Sequence, residues 1–528
     1  MQFDISDLNI PLAISRVKRD MRDDWFADPL QYKDILTAAA VTDWFDGEVE
    51  IQPTESLNIP KTGFVIRSAR EMFIHERVLY QALVDKLIEA YDPLLRPSAV
   101  YSHRLRSGQK SFIFQNTIDA WKAFNDDADA LMDDDDKVIV VTDIQNYYQC
   151  IHFDRLCEQL LNEEPNSDGS FQNTILRLRQ LLSGWNPDGV GLPQNRDPSS
   201  FLGNIFLRGV DEHMILAGYN YTRYMDDIRI VCGNVFEARK ALQELIIKLR
   251  DYDLGVNGKK TKIIQRTQDE YRDEIPRTNE ELDVINSLLA QRNVRSVRRA
   301  REMLDALADR LLESDDTHGK EFKFCINRIE RLARCEDINY DPTRFVDAAI
   351  ELLVDQPWST EMLVRLLRSS NLSAQQEERV VDLALCEERN IYEWQSYMLW
   401  QLIAIKNPAH RSDEIRRTAR DGVSGNRTVP FKAGSALYIG ACGNSHDKRH
   451  LLQRSSETRS NMLLRSVAIA TQRTNATTDR ARRESVVPSH YLESTDDYLE
   501  SIGTPQFFAP LPQIKASQIY DDLPCFYF

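Results

Sequence analysis

Three carboxylates stand in two segments of the sequence that could bring them together. Asp143 ends the β-branched run VIVVTD, and Asp226 and Asp227 lie in YTRYMDDIRIVC, between two strand-like runs. A buried strand that ends in a carboxylate can hold a divalent cation at a cleft, and a hairpin can bring Asp226 to face Asp143. Taken alone, the first segment also fits a strand followed by a helix cap, and the second fits ordinary turn chemistry. Together they predict the negative pocket that two Mg²⁺ ions, or Mn²⁺ in their place, require.

A pair of ions in such a pocket supports the transfer of a nucleotide. The ions activate an attacking 3′-hydroxyl and stabilise the pyrophosphate leaving group. Cysteine offers no competing zinc site, because the 8 cysteines are scattered and no two have the spacing of a zinc pair. We expect them to be reduced and mostly buried, as in an intracellular protein.

A third segment, GVGLPQNRDPSSFLGNIFLRGVD, lies between the other two. The order DIxxYY, then GLPQxxxxSxxLxNIxL, then YMDD resembles the palm of reverse transcriptases. Three motifs recur in order and at suitable spacing, and the resemblance extends from residue 60 to residue 265. It implies an RNA-directed DNA polymerase, a nucleotidyltransferase that takes dNTPs, copies an RNA or noncoding RNA template and makes a DNA product.

The same resemblance implies roles for single residues. Asp143 and Asp226 would bind the metals, and Asp227 would complete the acidic cluster. Tyr148 would lie under the sugar of the incoming nucleotide, where its ring would clash with a 2′-hydroxyl and favour deoxynucleotides. The other nucleotide-binding residues that it implies are Gln194 and Ser199 on the nucleotide and template side, Arg70 and Arg77 at the triphosphate, and Lys260 near the phosphates. Asn195 departs from the family, since many relatives have Gly there, and a side chain leaves the backbone less room against primer or template.

The elements that must position these residues change in character along the chain. Up to about residue 275, strand-like runs alternate with helical stretches such as Val78 to Ala90 and Phe236 to Arg250, and beyond Asn293 only helices follow one another. We therefore predict an α+β fold, with right-hand polymerase fingers and palm followed by an all-α, HEAT-like C-terminal domain. The predicted divisions are an N-terminal extension at 1–60, fingers and palm at 61–275, a helical-repeat region at 276–480 whose start replaces the thumb, and an irregular tail at 481–528.

Three features outside the motifs have more than one interpretation. Arg295, Arg298, Arg299 and Arg301 form a basic cluster where a thumb would grip a duplex, but they could equally be a solvated helix face. Trp394, Tyr397 and Trp400 fall at helical spacing, which indicates core packing, although aromatic rings can also stack on single-stranded bases. The acidic run at 133–136 is interpreted as a solvated loop ahead of a strand.

The composition of the chain limits the classes of protein to which it can belong. The chain has 528 residues, and its 42% of hydrophobic residues excludes a disordered or fibrous protein. Its formal net charge of −16 argues against avid nonspecific binding to nucleic-acid duplexes. Its longest nearly apolar stretch, Tyr397 to Ile405, is far too short to cross a bilayer. Its first residues lack the order of a secretory signal. We expect a cytoplasmic protein that makes no membrane contact.

A reverse transcriptase core without a maturase, RNase H, integrase or endonuclease module, continued by a long helical region, resembles the abortive-infection and unknown-group enzymes of bacteria. This resemblance implies a part in antiphage defence, a homo-oligomer, and synthesis that in some members is untemplated or starts on a protein hydroxyl. Candidate priming residues are the tail tyrosines Tyr491, Tyr498, Tyr520 and Tyr527, which could also simply pack onto the repeats.

Two other functions stay open. An RNA polymerase could share the same palm, although the ring of Tyr148 argues against ribonucleotides. A catalytically idle scaffold could bind nucleic acid or a phage protein, although the full set of acids disfavours it. Nucleotide preference would decide the first case, and metal-dependent incorporation would decide the second.

Overall fold

The computed structural model describes residues 5–20, 24–26, 28–30, 37–46, 51, 53–106, 113–165, 169–275, 279–472 and 477–521. The first half of the chain mixes helices and strands, in the order α1 (Ile10–Asp20), α2 (Ala38–Asp46), β1 (Glu55–Lys61), β2 (Val65–Glu71), α3 (Ile74–Tyr91), α4 (Thr117–Leu131), β3 (Val138–Asp143), α5 (Phe153–Asn162), α6 (Gln172–Trp185), α7 (Asp197–Phe206), α8 (Arg208–Leu216), β4 (Asn220–Tyr224), β5 (Asp227–Cys232), α9 (Val235–Arg250), β6 (Lys262–Gln265) and α10 (Asp269–Glu274). The predicted α+β character of this half is confirmed.

The central sheet is antiparallel, with the strand order β4, β5, β3, β6. Its strand β3 reads as a continuous apolar run because both of its faces are covered. On one face Ile139 shares a hydrophobic cluster with Ala128 of α4 and Tyr271 of α10. On the other face Val140 shares the main core with Ala241 of α9. The sheet is therefore a buried platform, and Asp143 stands at the end of its central strand.

Beyond the palm the chain is helical, in the order α11 (Glu280–Ala290), α12 (Val294–Glu313), α13 (Lys320–Ala333), α14 (Val346–Asp355), α15 (Thr360–Ser369), α16 (Ala374–Leu385), α17 (Glu393–Lys406), α18 (Ser412–Ser424), α19 (Val429–Cys442), α20 (Ser445–Arg454), α21 (Asn461–Ala470), α22 (Thr477–Val486) and α23 (Ser489–Ile502). From α13 onward, each odd-numbered helix contacts the next odd-numbered helix, and from α14 onward each even-numbered helix contacts the next even-numbered helix. We call these the first row and the second row. No described helix is long and apolar enough to span a membrane.

The end of the chain differs from the predicted irregular tail. Helices α22 and α23 extend the regular structure to Ile502. Pro488 does not break this region because it is the N-cap of α23, where a missing N–H leaves no hydrogen bond unmade. Residues 503–521, which we call the C-terminal strap, are irregular apart from a short 3₁₀ helix at Ala516–Gln518. The strap runs back along the first row, where Ile514 N donates to Arg334 O at 3.0 Å.

Strands β1 and β2 form an antiparallel hairpin, the fingers hairpin, that packs against the helical region. Because β1 begins at Glu55, the predicted boundary at residue 60 falls inside this hairpin. Leu57 and Ile59 share a hydrophobic cluster with Trp394 and Tyr397 of α17. We call this contact the fingers junction.

Polar bonds hold the edges of the fingers junction. Glu393 Oε2 accepts from the backbone N of Asn58 at 3.0 Å, and Glu55 Oε2 accepts from Ser460 Oγ at 2.8 Å. Trp394, Tyr397 and Trp400 are all buried, so the core interpretation of these aromatics is confirmed. The helical region thus supports the hairpin of β1 and β2 as well as following the central sheet along the chain.

Replacing Trp394 with alanine should loosen the fingers hairpin. Trp394 is 3% exposed and donates from Nε1 to the carbonyl of Trp25 at 2.7 Å. Losing it leaves a cavity that costs about 3–5 kcal/mol. We expect faster hydrogen–deuterium exchange in residues 55–71 and unchanged exchange in strand β3. The matched control is Ile391→Ala, because Ile391 is 65% exposed; equal exchange in both variants would contradict the junction.

Candidate active site

The structure brings the three predicted carboxylates to one edge of the central sheet. Asp143 is directly opposite Asp227 in the register of β3 and β5. Asp226 lies in the turn between β4 and β5, and its carbonyl accepts from the backbone N of Ile144 at 3.1 Å. The turn thus closes over the residue that follows Asp143, which holds the three acids together.

Burial and repulsion by neighbouring charges oppose ionisation of Asp226 and Asp227. Burial and the charge of Asp226 raise the pKa of Asp227 to about 7. Burial also raises the pKa of Asp226, and the charge of Asp143 adds to this effect. Carboxylates that resist ionisation together form a site that a bound cation would stabilise.

One oxygen of Asp143 already has a cationic partner and the other has none. Lys260 Nζ lies 2.6 Å from Asp143 Oδ2, and Asp143 Oδ1 is buried without a hydrogen bond. Burial lowers the pKa of Lys260, but the hydrogen bond and charge of Asp143 outweigh it, so this pKa is raised. Among the described residues no three His, Cys, Asp or Glu side chains are preformed as metal ligands. The acids fit a divalent cation by chemistry, and loading it would displace Lys260 from Asp143.

The fingers hairpin presents two more cations toward the acids. Lys61 and Arg67 lie on the same face of the hairpin by strand alternation. Burial lowers the pKa of Lys61, and the charges of Arg67 and Lys260 lower it further. Burial also lowers the pKa of Arg67, while the charge of Asp226 opposes this. A positive wall therefore faces the carboxylates across the cleft.

The two arginines predicted at the triphosphate do not belong to this wall. Arg77 is buried and forms ion pairs with Asp24 at 2.6 Å and Asp20 at 2.8 Å. Arg70 alternates to the opposite face of β2 from Arg67 and donates to Thr54 Oγ1 at 3.2 Å. Their assignment to the triphosphate is corrected, and the arginine of β2 on which the charge of Asp226 acts is Arg67.

Tyr148 stands beside the acids, and a serine holds its hydroxyl. Its Oη shares a hydrogen bond of 3.2 Å with Ser200 Oγ. Burial raises its pKa, and the charge of Asp226 contributes. Ser199, the predicted nucleotide contact, is instead fully buried and shares a 2.9 Å bond with Tyr80 Oη. Ser199 therefore braces the core, and its neighbour Ser200 reaches the site.

The GLPQN segment reaches the site through a tight turn. Gln194 is half-buried at a bend just before α7. Asn195 has φ of +58°, in the left-handed region. Asparagine tolerates this region better than most residues, which accounts for asparagine standing where many relatives have glycine.

A buried network beneath the Asp226 turn was not predicted. Arg223 is 0% exposed and pairs with Asp211 at 2.6 Å. It also donates to Asn204 Oδ1 at 2.5 Å, and Asn204 Nδ2 donates to the Ser102 carbonyl at 2.8 Å. Ser102 Oγ accepts from the backbone N of Met225 at 2.9 Å. Arg223 immediately precedes YMDD in the sequence, and this position was the available signal.

The candidate priming tyrosines have different fates. Tyr491 is 4% exposed and its ring packs 5.6 Å from that of Phe73, so it is a core residue. Tyr520 is half-buried in the strap, against the main core. The side chain of Tyr498 and the whole of Tyr527 lie outside the described residues. Tyr491 is therefore corrected from candidate primer to structural residue.

Comparison with known proteins gives one family match. Residues 59–291 match the family model described as reverse transcriptase (RNA-dependent DNA polymerase). No curated protein matches the chain significantly.

Two telomerase structures show a distant likeness. One is telomerase from Candida albicans in complex with a fragment of telomeric RNA, at 11% identity and a TM-score of 0.31, covering 72% of this chain and 65% of that one. The other is apo telomerase from Candida tropicalis, at 10% identity and a TM-score of 0.33, covering 87% of this chain and 73% of that one. The chain thus spans less than two thirds of the first, and TM-scores of this size do not establish a shared architecture.

Metal binding at the acids should release protons near neutral pH. The Asp227 carboxyl, with its pKa raised to about 7, is largely protonated below that pH and must lose its proton to become a ligand. We expect the apparent affinity for Mg²⁺ to rise between about pH 6 and about pH 8 and to level off above. Calorimetric titration in buffers of different ionisation enthalpy counts the protons. Asp227→Asn should abolish this release, and pH-independent binding by the unaltered protein would contradict the prediction.

Proposed function

We propose that this protein extends DNA from dNTPs on an RNA template by two-metal nucleotidyl transfer, because residues 59–291 match the family model of reverse transcriptases, which are RNA-dependent DNA polymerases. The observation that supports this most directly is the register that sets Asp143 opposite Asp227, with Asp226 in the adjoining turn. Reverse transcriptase domains use divalent metal ions, and we propose Mg²⁺ here, with Mn²⁺ as a substitute.

Each residue of the site has a distinct part in the proposed reaction. The metals, held by Asp143, Asp226 and Asp227, would supply activation of the 3′-hydroxyl and neutralise charge on the phosphates. Attack of the 3′-oxygen forms a bond to the α-phosphorus and breaks the bond to the β-phosphate oxygen, so pyrophosphate leaves. Lys61 and Arg67 would hold the triphosphate.

Selection of the nucleotide is assigned to residues around the sugar. The Tyr148 ring, steadied by Ser200, would close the space beneath the 2′-carbon. Gln194 would contact the nucleotide and template side. Lys260 would move from Asp143 toward the phosphates once a metal occupies the acids, since both cannot share Oδ2.

Helix α12 is proposed as the thumb surface that contacts the nucleic acid. Arg295, Arg298 and Arg299 are exposed along its first half. Arg301 differs from them, because it is half-buried and lies 3.6 Å from Asp305. Three exposed guanidinium groups on a helix that follows the palm suit phosphate contact in an otherwise acidic chain.

We also propose that the protein acts in cytoplasmic antiphage defence as a homo-oligomer, with HEAT-like repeats. The two-row packing of α13 to α23 supports the repeat interpretation, and the resemblance to abortive-infection enzymes supports the biological role. If synthesis starts on a protein hydroxyl, Tyr491 is too buried to serve, and Tyr520 is the described candidate.

Asparagine at Asp143 or Asp226 should abolish incorporation of labelled dNTPs. Either change removes a ligand charge from the metal site, with an expected loss of at least about a hundredfold. Acid-insoluble product formed by the purified protein with Mg²⁺ is the measurement. Asp135→Asn, in the exposed acidic loop, is the charge-matched control and should remain active. Full activity in either Asp143→Asn or Asp226→Asn would contradict the polymerase assignment.

Alanine at Tyr148 should admit ribonucleotides, because the space below the sugar then accepts a 2′-hydroxyl. We expect the ratio of deoxy to ribo incorporation to fall by about tenfold or more. Ser200→Ala is the matched control, since it removes the hydrogen bond and keeps the ring. An unmoved ratio in Tyr148→Ala would show that another residue selects the sugar.

A further inference from the structure

An open cavity of about 530 Å³ lies between the C-terminal strap and the first row of helices. Helices α13, α15, α17 and α19 form one side, and strap residues 505–511 and 513 form the other. None of its lining residues belongs to the fingers, the palm or helix α12. Its volume falls within the range of about 300–1,000 Å³ that small-molecule sites occupy.

Guanidinium groups outnumber carboxylates at one end of this cavity. Glu330 accepts from Arg334 Nε at 2.5 Å and lies 3.3 Å from Arg365. Arg368, which lines the cavity, has no carboxylate partner among the described residues, and its one hydrogen bond is to the Ala509 carbonyl at 2.9 Å. Glu330 thus pairs with two of the three arginines, and Arg368 is left without a carboxylate in the described part of the chain.

The pKa of Arg368 also indicates a cation that lacks a counter-ion. Burial lowers its pKa, and the charge of Arg365 lowers it further. Lys406 adds another cation close by, since its Nζ donates to the carbonyls of Arg368 and Ser370 at 3.2 and 2.6 Å. A partly desolvated cation without a counter-ion is stabilised by any anion that can reach it.

The other end of the cavity is aromatic and tightly packed. Phe507 and Phe508 of the strap both line it. Gly440 of α19 lets Phe507 approach so closely that an added Cβ would lie 3.1 Å from Cδ1 of the ring. Lys448 lies 5.3 Å from the centre of the same ring. Flat apolar surface and unpaired guanidinium therefore meet in one cavity.

We propose that this cavity binds a nucleoside phosphate, with its phosphates on Arg368 and its base against Phe507 and Phe508. The site is separate from the palm and does not depend on the polymerase activity proposed above. A bound ligand would tie the strap to α15. Through the Ala509 N to Pro29 O bond of 2.5 Å, it would also fasten the segment that borders the fingers junction.

Calorimetric titration of the full chain with ATP in EDTA tests this proposal, because chelation removes the metals on which triphosphate binding in the palm depends. We expect saturable binding of ATP, a raised melting temperature, and at least tenfold weaker binding of adenosine or inorganic phosphate alone. Arg368→Gln should weaken ATP binding at least tenfold. Arg379→Gln, in the exposed second row, should bind as the unaltered protein does.

Two further variants separate the cavity from the palm and from misfolding. Arg67→Gln should leave binding in EDTA unchanged, and loss there would place the ligand in the palm and overturn the proposal. Ala441→Leu fills the cavity from α19 without removing a charge, so it should block ATP while the circular dichroism spectrum is preserved. Full binding in Ala441→Leu, or no ATP binding by the unaltered protein, would also overturn it.

Discussion

The ion pair between Arg223 and Asp211 is the constraint on which the catalytic edge depends. Both side chains are almost completely excluded from water, so each charge needs the other, and loss of one would strand its partner at a cost of about 3–5 kcal/mol. Through Asn204 and Ser102 the pair reaches the backbone of Met225, whose φ of +56° is unfavourable for a methionine. A buried cation thus fixes the shape of the turn that carries Asp226, and its charge is balanced by Asp211 rather than by the three acids.

The helical region holds the fingers hairpin, which carries the cations that face the acids. Lys61 and Arg67 face the acids only if the fingers hairpin is held in place, and a two-stranded hairpin is marginal by itself. Its apolar face is buried by α17 and its neighbours, and its edges are bonded to Glu393 and Ser460. The C-terminal region therefore helps to position the cations that face the acids, even though it supplies none of the carboxylates.

The placement of the three acids could be predicted from the sequence because local pattern fixes it: a buried strand ends at Asp143 and a tight hairpin holds Asp226. The helices α3 and α9 followed from their apolar spacing in the same way. Arg77 could not be assigned, since its partners Asp20 and Asp24 lie in a remote segment without a motif. Ser199 and Ser200 are adjacent on α7 and point in different directions from the helix. A consensus motif does not tell which of the two faces the site. Helix α23 was missed because proline marks a helix start as well as a break.

The bond between Ala509 and Pro29 joins two points that almost the whole chain separates. A contact of such high sequence separation closes late in folding, after the intervening helices have stacked. During synthesis the palm strands and their acids emerge long before the strap does. The segment beside the fingers junction therefore gains its bond to Ala509 only after the helical rows have been translated. A ribosome-bound chain would carry an assembled palm while the contacts that hold the fingers hairpin are still incomplete.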